Sequence, residues 1–389
     1  MNNTINKPFT QNNKNAKDVL STMSFRILHV GNLVNHGYYL VKKLREQEVM
    51  IDLLMRKNPK QTEDPKFFDN EINDYPKWIK FFEMRGKWKW NVIKIMKKYD
   101  LIQASTEFPI FSLFSGKPYV AFATGSDIIE LAHTNSLKGI LLRWAYRRAK
   151  VVIFPGPYMF DYVKKLKLKN AIFIPLPWDY SKFFPIKNFV KENQRFTVFH
   201  PTNHFWRQKR NDILLNAFIK FAYKHKNVEL ILIKRGPDFE KSLKVLEKKV
   251  SKDQITIIPC TIPQSDLNNF YNNADVIVDQ FFVGTTGLIG QEAMASGKSL
   301  IQYADKELYE RFYSVPPPIL DARDEEQVYH QLCSLYEDRD LNSRIGKKSR
   351  EWMMKHHNIQ KIIKKYVFVY KSINEGIDIQ TIRDQLDLN

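Results

Sequence analysis

Cysteine and acid are both scarce in this 389-residue chain. Its two cysteines, Cys260 and Cys333, stand too far apart in sequence to form a disulfide framework or a cysteine metal cluster. They read as two buried thiols of a protein kept in a reducing compartment. Only 42 Asp and Glu face 61 Lys and Arg, a formal charge of +19. Such an excess draws a protein towards phosphate: nucleic acid, an anionic membrane face or a phosphorylated small molecule. Uninterrupted apolar runs long enough to span a bilayer are missing too. The Asn- and Lys-rich start, 1–24, lacks the apolar stretch of a signal peptide and reads as a flexible tail. Apolar residues are plentiful by contrast, at 43% with 13% aromatic, enough for the cores of two domains.

From Phe25 onward, short apolar runs alternate with longer amphipathic ones. FRILHV (25–30) predicts a buried strand, and VMIDLL (49–54) the next. NHGYYLVKKLREQ (35–47) between them predicts a helix with Tyr38, Tyr39, Leu40, Val41 and Leu44 turned inward, completing a βαβ unit. LIQA (101–104), YVAFA (119–123), VVIF (151–154) and AIFI (171–174) continue the strands, with a helix over 136–149. Pro175, Pro177 and Pro185 then interrupt the pattern over 175–194, which marks a domain boundary. A second series follows, with strands at 196–200, 228–233, 255–258 and 274–279 and helices over 211–225, near 239–249 and near 264–272. The expected fold class is α/β: two tandem Rossmann-like domains, 25–185 and 196–355, each on an open, mostly parallel sheet. The spacing predicts one helix over 342–373, anchored by Trp352, Ile359, Ile362, Ile363, Tyr366 and Tyr370. Residues 356–389 would then return across both domains to the first.

The stretch VGTTGLIGQEAMASGK (283–298) carries the clearest chemistry. Asp279 ends an apolar strand, and Gly284, Gly287 and Gly290 surround a helix start near Leu288. Amides at a helix N-terminus, with its partial positive charge, suit a phosphate or a polarised sugar hydroxyl. Glu292 lies about one turn further, on the same side. Phosphate would repel that carboxylate, whereas the vicinal hydroxyls of a ribose would pair with it, so the ligand reads as a nucleotide. Asp127 in TGSDIIE (124–130) has two readings, orienting a substrate hydroxyl or capping the helix that follows. DRD (338–340) reads as a turn and N-cap rather than a metal motif, and His36, His133 and His200 as packed or surface histidines.

Five stretches, in this order, resemble the large retaining glycosyltransferase family 4 of the two-domain GT-B fold. They are HVGNLVNHGYYLVKKL (29–44), TGSDIIE (124–130), HPTNHFWRQKRND (200–212), DQFFVGTTGLIGQEAMASGK (279–298) and WMMKHHNIQKIIKKYVFVY (352–370). The resemblance implies a nucleotide-sugar-dependent transferase that retains anomeric configuration, acts on a glycan or lipid-linked acceptor and needs no metal or other cofactor. It implies that Gly31 and Asn32 face the donor from the first domain and that Lys209 contacts its diphosphate, with Asn203 and Arg207 nearby. Thr286, Gly287 and Leu288 would hold the phosphate and the transferred sugar, and Glu292 the ribose, while Asp127 orients a hydroxyl. Asp127, Lys209 and Glu292 are thus the catalytic candidates. The chain departs from the family pattern at Gly284, where a second glutamate usually precedes Glu292 by eight positions. It departs also at Thr124, often histidine, and at Asn203, often arginine. Two other roles stay open: a non-catalytic binding subunit, and a sugar-nucleotide epimerase on the same fold.

The densest basic segment is KWIKFFEMRGKWKWNVIKIMKK (77–98). It reads as a helix with an aromatic stripe and a wet basic face, or as a membrane-interface element. Lys80, Arg85, Lys87, Trp88, Lys89 and Trp90 are the candidates for an acceptor or anionic-membrane side. Aromatic and basic residues together also suit single-stranded nucleic acid, but a first-domain location favours the acceptor, and nucleic acid is not expected. The location expected from these features is the cytoplasm, at the membrane periphery.

Overall fold

The computed structural model describes residues 23–69, 72–191, 194–259 and 262–388. The tail expected over 1–24 lies outside them except for Met23 and Ser24, and so does Cys260. Cys333 is a buried free thiol.

Seven strands build the first sheet: β1 (Ile27–Val30), β2 (Ile51–Arg56), β3 (Ile79–Phe82), β4 (Leu101–Ser105), β5 (Tyr119–Phe122), β6 (Val151–Phe154) and β7 (Ala171–Phe173). Six build the second: β8 (Phe196–His200), β9 (Val228–Ile233), β10 (Ile255–Ile258), β11 (Val276–Val278), β12 (Ser299–Gln302) and β13 (Leu320–Asp321). The orders are β3-β2-β1-β4-β5-β6-β7 and β10-β9-β8-β11-β12-β13, with every pairing parallel. Helices cover both faces of each sheet, so β1, β4, β8, β9 and β12 are buried along their whole length. That is why they read as continuous apolar runs rather than alternating ones. In both sheets the order reverses beside the first strand, between β1 and β4 and between β8 and β11. Loops leaving the carboxyl ends of such strands diverge and open a crevice.

Two sequence expectations need correction. The segment 77–98 is not one helix. Its first part is β3, the outermost strand of the first sheet, and a turn through Gly86 (φ +53°) leads into helix Trp88–Met96. The helix expected over 342–373 is likewise two, Arg339–His356 and Ile359–Asn374. Asn358 caps the second, its side chain accepting from the Lys361 amide at 3.1 Å, and an Asn N-cap sets a new helix direction. Asp338 caps the first in the same way, accepting from Leu341 at 2.7 Å, so DRD is the expected turn and cap.

Helices Ile359–Asn374 and Ile379–Leu388 return to the first domain. The Tyr370 hydroxyl donates to Gln103 of β4 at 2.6 Å, and Arg383 donates to the Ala171 carbonyl at 3.0 Å. Helix Lys306–Phe312 makes another bridge: Phe312 packs its ring among Phe154, Phe160 and Phe173 of the first domain. Among the described residues no helix is long and apolar enough to cross a membrane.

Candidate functional site

The site forms where loops leave β8, β9 and β11. β8 ends in His200, which is fully buried, its Nδ1 2.7 Å from the Val278 carbonyl and its Nε2 2.9 Å from the Asn211 amide. Burial pushes its pKa down to about 4, so a neutral imidazole locks β8 to β11 and to the helix after the loop. The loops after β8 and β9 are closed on each other: His204 N donates to the Arg235 carbonyl at 2.8 Å and Asp238 N to the His204 carbonyl at 3.0 Å. Gly236 makes this possible. It sits at φ +110°, and a Cβ there would come within 2.4 Å of the His204 oxygen and 2.5 Å of Asn203 Oδ1. Asn203 therefore lies inside the loop contact.

Lys209 ends the short helix Trp206–Lys209. Its carbonyl accepts from Phe281 N at 3.0 Å, which fastens it to the loop after β11. The ammonium is half-buried and, among the described residues, makes no hydrogen bond or ion pair. Its charge acts on two buried neighbours, holding down the pKa of both His200 and Asp279. Asp279 is buried and accepts from the Thr202 hydroxyl at 2.7 Å. Burial raises its pKa, opposed first by Lys209 and also by Arg235 and the Gly290 amide. Arg207, by contrast, is exposed.

Arg235 was not singled out by its sequence. It follows β9 in KRGP (234–237), and β9 is the neighbour of β8, so the fold carries it into the same crevice. Its guanidinium charge acts on both Asp279 and Glu292. Nη2 reaches the Pro201 carbonyl at 3.4 Å, while Nε is buried with no partner among the described residues. A cation followed directly by Gly-Pro at a strand end is the signal that could have found it.

On the other side stands helix Leu288–Ala295. Tyr309 takes the Thr286 amide at 2.6 Å and also lies 3.2 Å from the Thr286 hydroxyl. The amides of Leu288 and Ile289 have no acceptor among the described residues, and Gly287 before them is exposed. Gly284 packs on Asp305: a Cβ would approach the Asp305 Cβ to 2.6 Å, and the Asp305 amide donates to the Gly284 carbonyl at 2.7 Å. No acid could occupy position 284 without moving the start of helix Lys306–Phe312.

Glu292 lies deep, 5% exposed. The Tyr271 hydroxyl donates to it at 3.0 Å. Burial pushes its pKa up to about 8, against the pull of Tyr271, Trp178 and Arg235. Two aromatic residues of the segment joining the domains, Trp178 and Tyr180, neighbour it. Trp178 is 2% exposed and packs edge-on against Tyr39 of the first domain at 4.6 Å. Tyr180 donates to Gln291, and Tyr39 donates across the domains to Gln264.

The first-domain candidates do more bracing than reaching. Gly31 follows β1 at φ +103°, where a Cβ would meet Ser105 Oγ at 2.3 Å. The Asn32 side chain is used three times within the first domain: it donates to Asn35 at 2.9 Å and to the Glu63 carbonyl after β2 at 2.8 Å, and accepts from Tyr38 N at 2.8 Å. The Asp127 carboxylate accepts from the amides of Thr124 at 3.0 Å, Gly125 at 2.8 Å and Ile128 at 2.9 Å. Asp127 is thus not the N-cap of helix Ser126–Ile129, which is Gly125 without a side-chain cap; from the first turn it folds back to brace the loop before the helix. Burial raises its pKa and those amides oppose the rise. The basic candidates lie elsewhere, at the β3 edge. Lys80, Arg85, Lys87 and Lys89 are exposed and Trp90 is 62% exposed, while Trp88 stacks on Phe82 at 5.7 Å. Among the described residues no three His, Cys, Asp or Glu gather as metal ligands would.

Two parallel Rossmann-like domains facing each other, with terminal helices returning to the first, define the GT-B fold. Solved structures of that fold match almost the whole chain. HepE from Anabaena, in complex with UDP-glucose, superposes with a TM-score of 0.69 at 15% identity, over 93% of this chain and 98% of that one. Sucrose-phosphate synthase from Thermosynechococcus elongatus gives a TM-score of 0.69 at 15% identity, over 90% of this chain and 100% of that one. A Listeria monocytogenes protein assigned as a UDP-N-acetylglucosamine 2-epimerase gives 0.60 at 10% identity, over 92% and 98%. At these identities the likeness is one of fold. No family model and no curated protein matches the chain.

Proposed function

We propose that this chain is a retaining glycosyltransferase of family 4 type, moving a sugar from a nucleotide-diphosphate sugar to a glycan or lipid-linked acceptor. The observation that carries this is the pair of cations Lys209 and Arg235 in one crevice. Among the described residues the Lys209 ammonium and the buried Arg235 Nε have no partner; both charges act on Asp279 and Arg235 also on Glu292, and the loop after Asp279 leads into the helix whose first amides, Leu288 and Ile289, have no acceptor. Two cations and a helix N-terminus suit a diphosphate, and a neighbouring carboxyl suits the ribose that carries it. HepE, of the same fold, binds UDP-glucose, which makes that the donor to try first.

In the proposed reaction the C1–O bond to the diphosphate breaks and positive charge builds on the sugar ring. The acceptor hydroxyl attacks C1 from the face the diphosphate leaves and passes its proton to a phosphate oxygen. Lys209 and Arg235 hold the negative charge that accumulates on the departing diphosphate, and the amides of helix Leu288–Ala295 add to it. Positioning and charge stabilisation supply the rate, so the scheme names no protein nucleophile and calls for no metal ion. Asp127 acts by shaping its loop. Glu292 is 5% exposed with buried Trp178 and Tyr180 as neighbours, so ribose access to it calls for a shift of the side chains around it. The acceptor is proposed to approach from the first domain at the membrane periphery, on the cytoplasmic side.

The test is thermal shift of the protein with nucleoside diphosphates and UDP-sugars, with Glu292→Ala and Lys209→Ala alongside. A ligand at about 100 times its dissociation constant adds close to 3 kcal/mol of stability. A shift in the wild type that both variants lose supports the donor site, and the anomer of the transferred sugar then decides retention. Binding without turnover on any acceptor would instead favour a binding subunit.

A further inference from the structure

Helix Leu137–Arg148 carries apolar side chains on both faces. Its inner face is buried through Gly139, Leu142, Ala145 and Tyr146. On its outer face Leu137, Ile140 and Trp144 are 73%, 47% and 46% exposed. Spacings of three and four place these on one stripe. A surface helix ordinarily shows a charged stripe there, and apolar residues on both sides mark a face that something covers. Neighbouring helices widen it. Helix Pro109–Leu113 packs against both Leu137–Arg148 and Trp88–Met96, joined to the latter by the Phe111–Trp88 ring contact. Phe114 and Trp90 at the ends of this layer are 49% and 62% exposed.

Charge identifies the occupant. Helix Leu137–Arg148 contains no acid and ends in exposed Arg147 and Arg148. Helix Trp88–Met96 also contains no acid, and exposed Lys97 and Lys98 follow it. A second copy of the chain would press the same positive rim against itself. An anionic lipid surface complements it. Trp144 and Trp90 suit headgroup depth, Leu137 and Ile140 the acyl boundary, and arginine and lysine stems can lie along apolar neighbours while their charge meets lipid phosphate.

We infer that this helix layer, centred on Leu137, Ile140 and Trp144, is the surface by which the protein docks on an anionic membrane. It deepens the membrane-side reading above by placing the lipid contact on helix Leu137–Arg148, with β3 at the margin. Docking rests on the transferase reading only for the acceptor it would reach, because none of these side chains belongs to the donor crevice.

Vesicle flotation tests it, using phosphatidylcholine alone and phosphatidylcholine mixed with phosphatidylglycerol. The wild type is expected to float with the mixed vesicles and to be released by salt. Leu137→Glu with Trp144→Glu should weaken that partition at least ~10-fold. Arg147→Glu with Arg148→Glu should weaken it at least ~25-fold, since each basic side chain near such a surface is worth roughly fivefold. Tyr223→Glu, at a side chain 83% exposed in the second domain, should change nothing. Melting midpoints report folding of each variant, and the UDP-sugar thermal shift on the same proteins separates failure of docking from failure of the donor site. A wild type that ignores the mixed vesicles, or binds neutral vesicles equally well, overturns the inference. So does an unchanged Leu137/Trp144 double variant. A wild-type dimer that the same double variant splits would give the face to a second copy instead.

Discussion

The Tyr309 hydroxyl holds the Thr286 amide at 2.6 Å, so one of the amides expected at the phosphate loop already has its acceptor within the protein. Tyr309→Phe leaves that buried amide unpaired. Stability should fall by about 1 kcal/mol, read as a lower midpoint in urea or heat. Diphosphate binding should tighten, since the amide no longer has to leave a partner. A calorimetric titration with UDP that shows weaker binding in Tyr309→Phe would mean the hydroxyl shapes the loop for the ligand rather than competing with it.

Glu292 makes stability depend on pH in a defined direction. Its native pKa is raised from 4.5 to about 8 by burial. An acid whose native pKa exceeds its unfolded one keeps its proton longer in the folded chain, so stability falls as pH climbs from 4.5 to about 8 and levels off beyond. Glu292→Gln retains an acceptor for Tyr271 but cannot ionise. Its melting midpoint should match the wild type at acid pH and exceed it at alkaline pH, by on the order of a few kcal/mol in stability. Equal pH profiles for the two proteins would show that the carboxyl is solvated.

Lys209 and Arg235, whose charges meet at Asp279, should act together on the diphosphate. Lys209→Ala and Arg235→Ala are each expected to weaken UDP binding by roughly 10- to 100-fold, with Arg235→Lys between Arg235→Ala and the wild type. The double variant should lose less than the two losses combined, because both charges face the same ligand. Arg235→Ala binding as well as the wild type would confine the guanidinium to structural work.

Asp127 separates a loop brace from a substrate contact. Asp127→Asn deprives three amides of their shared carboxylate and should cost about 1 to 3 kcal/mol. Turnover, measured below the melting transition, should then fall only modestly. A loss of turnover of several decades in a folded Asp127→Asn protein would put the carboxyl on the substrate.

Most of the architecture was legible because a parallel sheet covered on both faces requires unbroken apolar strands, and FRILHV, VELILI and ADVIVD supply them. β3 was missed for the opposite reason. IKFF lies at a sheet edge, is four residues long, and joins without a proline to the aromatic helix after it, so the whole of 77–98 reads as one amphipathic stretch. The helix break at Asn358 hides similarly, since HHN interrupts an apolar period without Gly or Pro. At the crevice, Glu292 could be picked out by its spacing from the glycines before it, whereas Lys209 was singled out only through the family resemblance of HPTNHFWRQKRND. Arg235 carried only the local signal of a cation before Gly-Pro; its nearness to the others follows from β9 lying beside β8, which local sequence does not show. Nor could local sequence reveal that Trp178 and Tyr180, far upstream, neighbour Glu292.

Helix Lys306–Phe312 is only seven residues long, yet its two aromatic side chains face separate tasks. Tyr309 grips the loop at Thr286, and Phe312, three residues on, is seated among first-domain phenylalanines. Swinging the domains apart would draw Phe312 from its seat and tug on Tyr309 through less than one turn of rigid backbone. The crevice and the seam between the domains are therefore joined through one short helix, a single part answering to both.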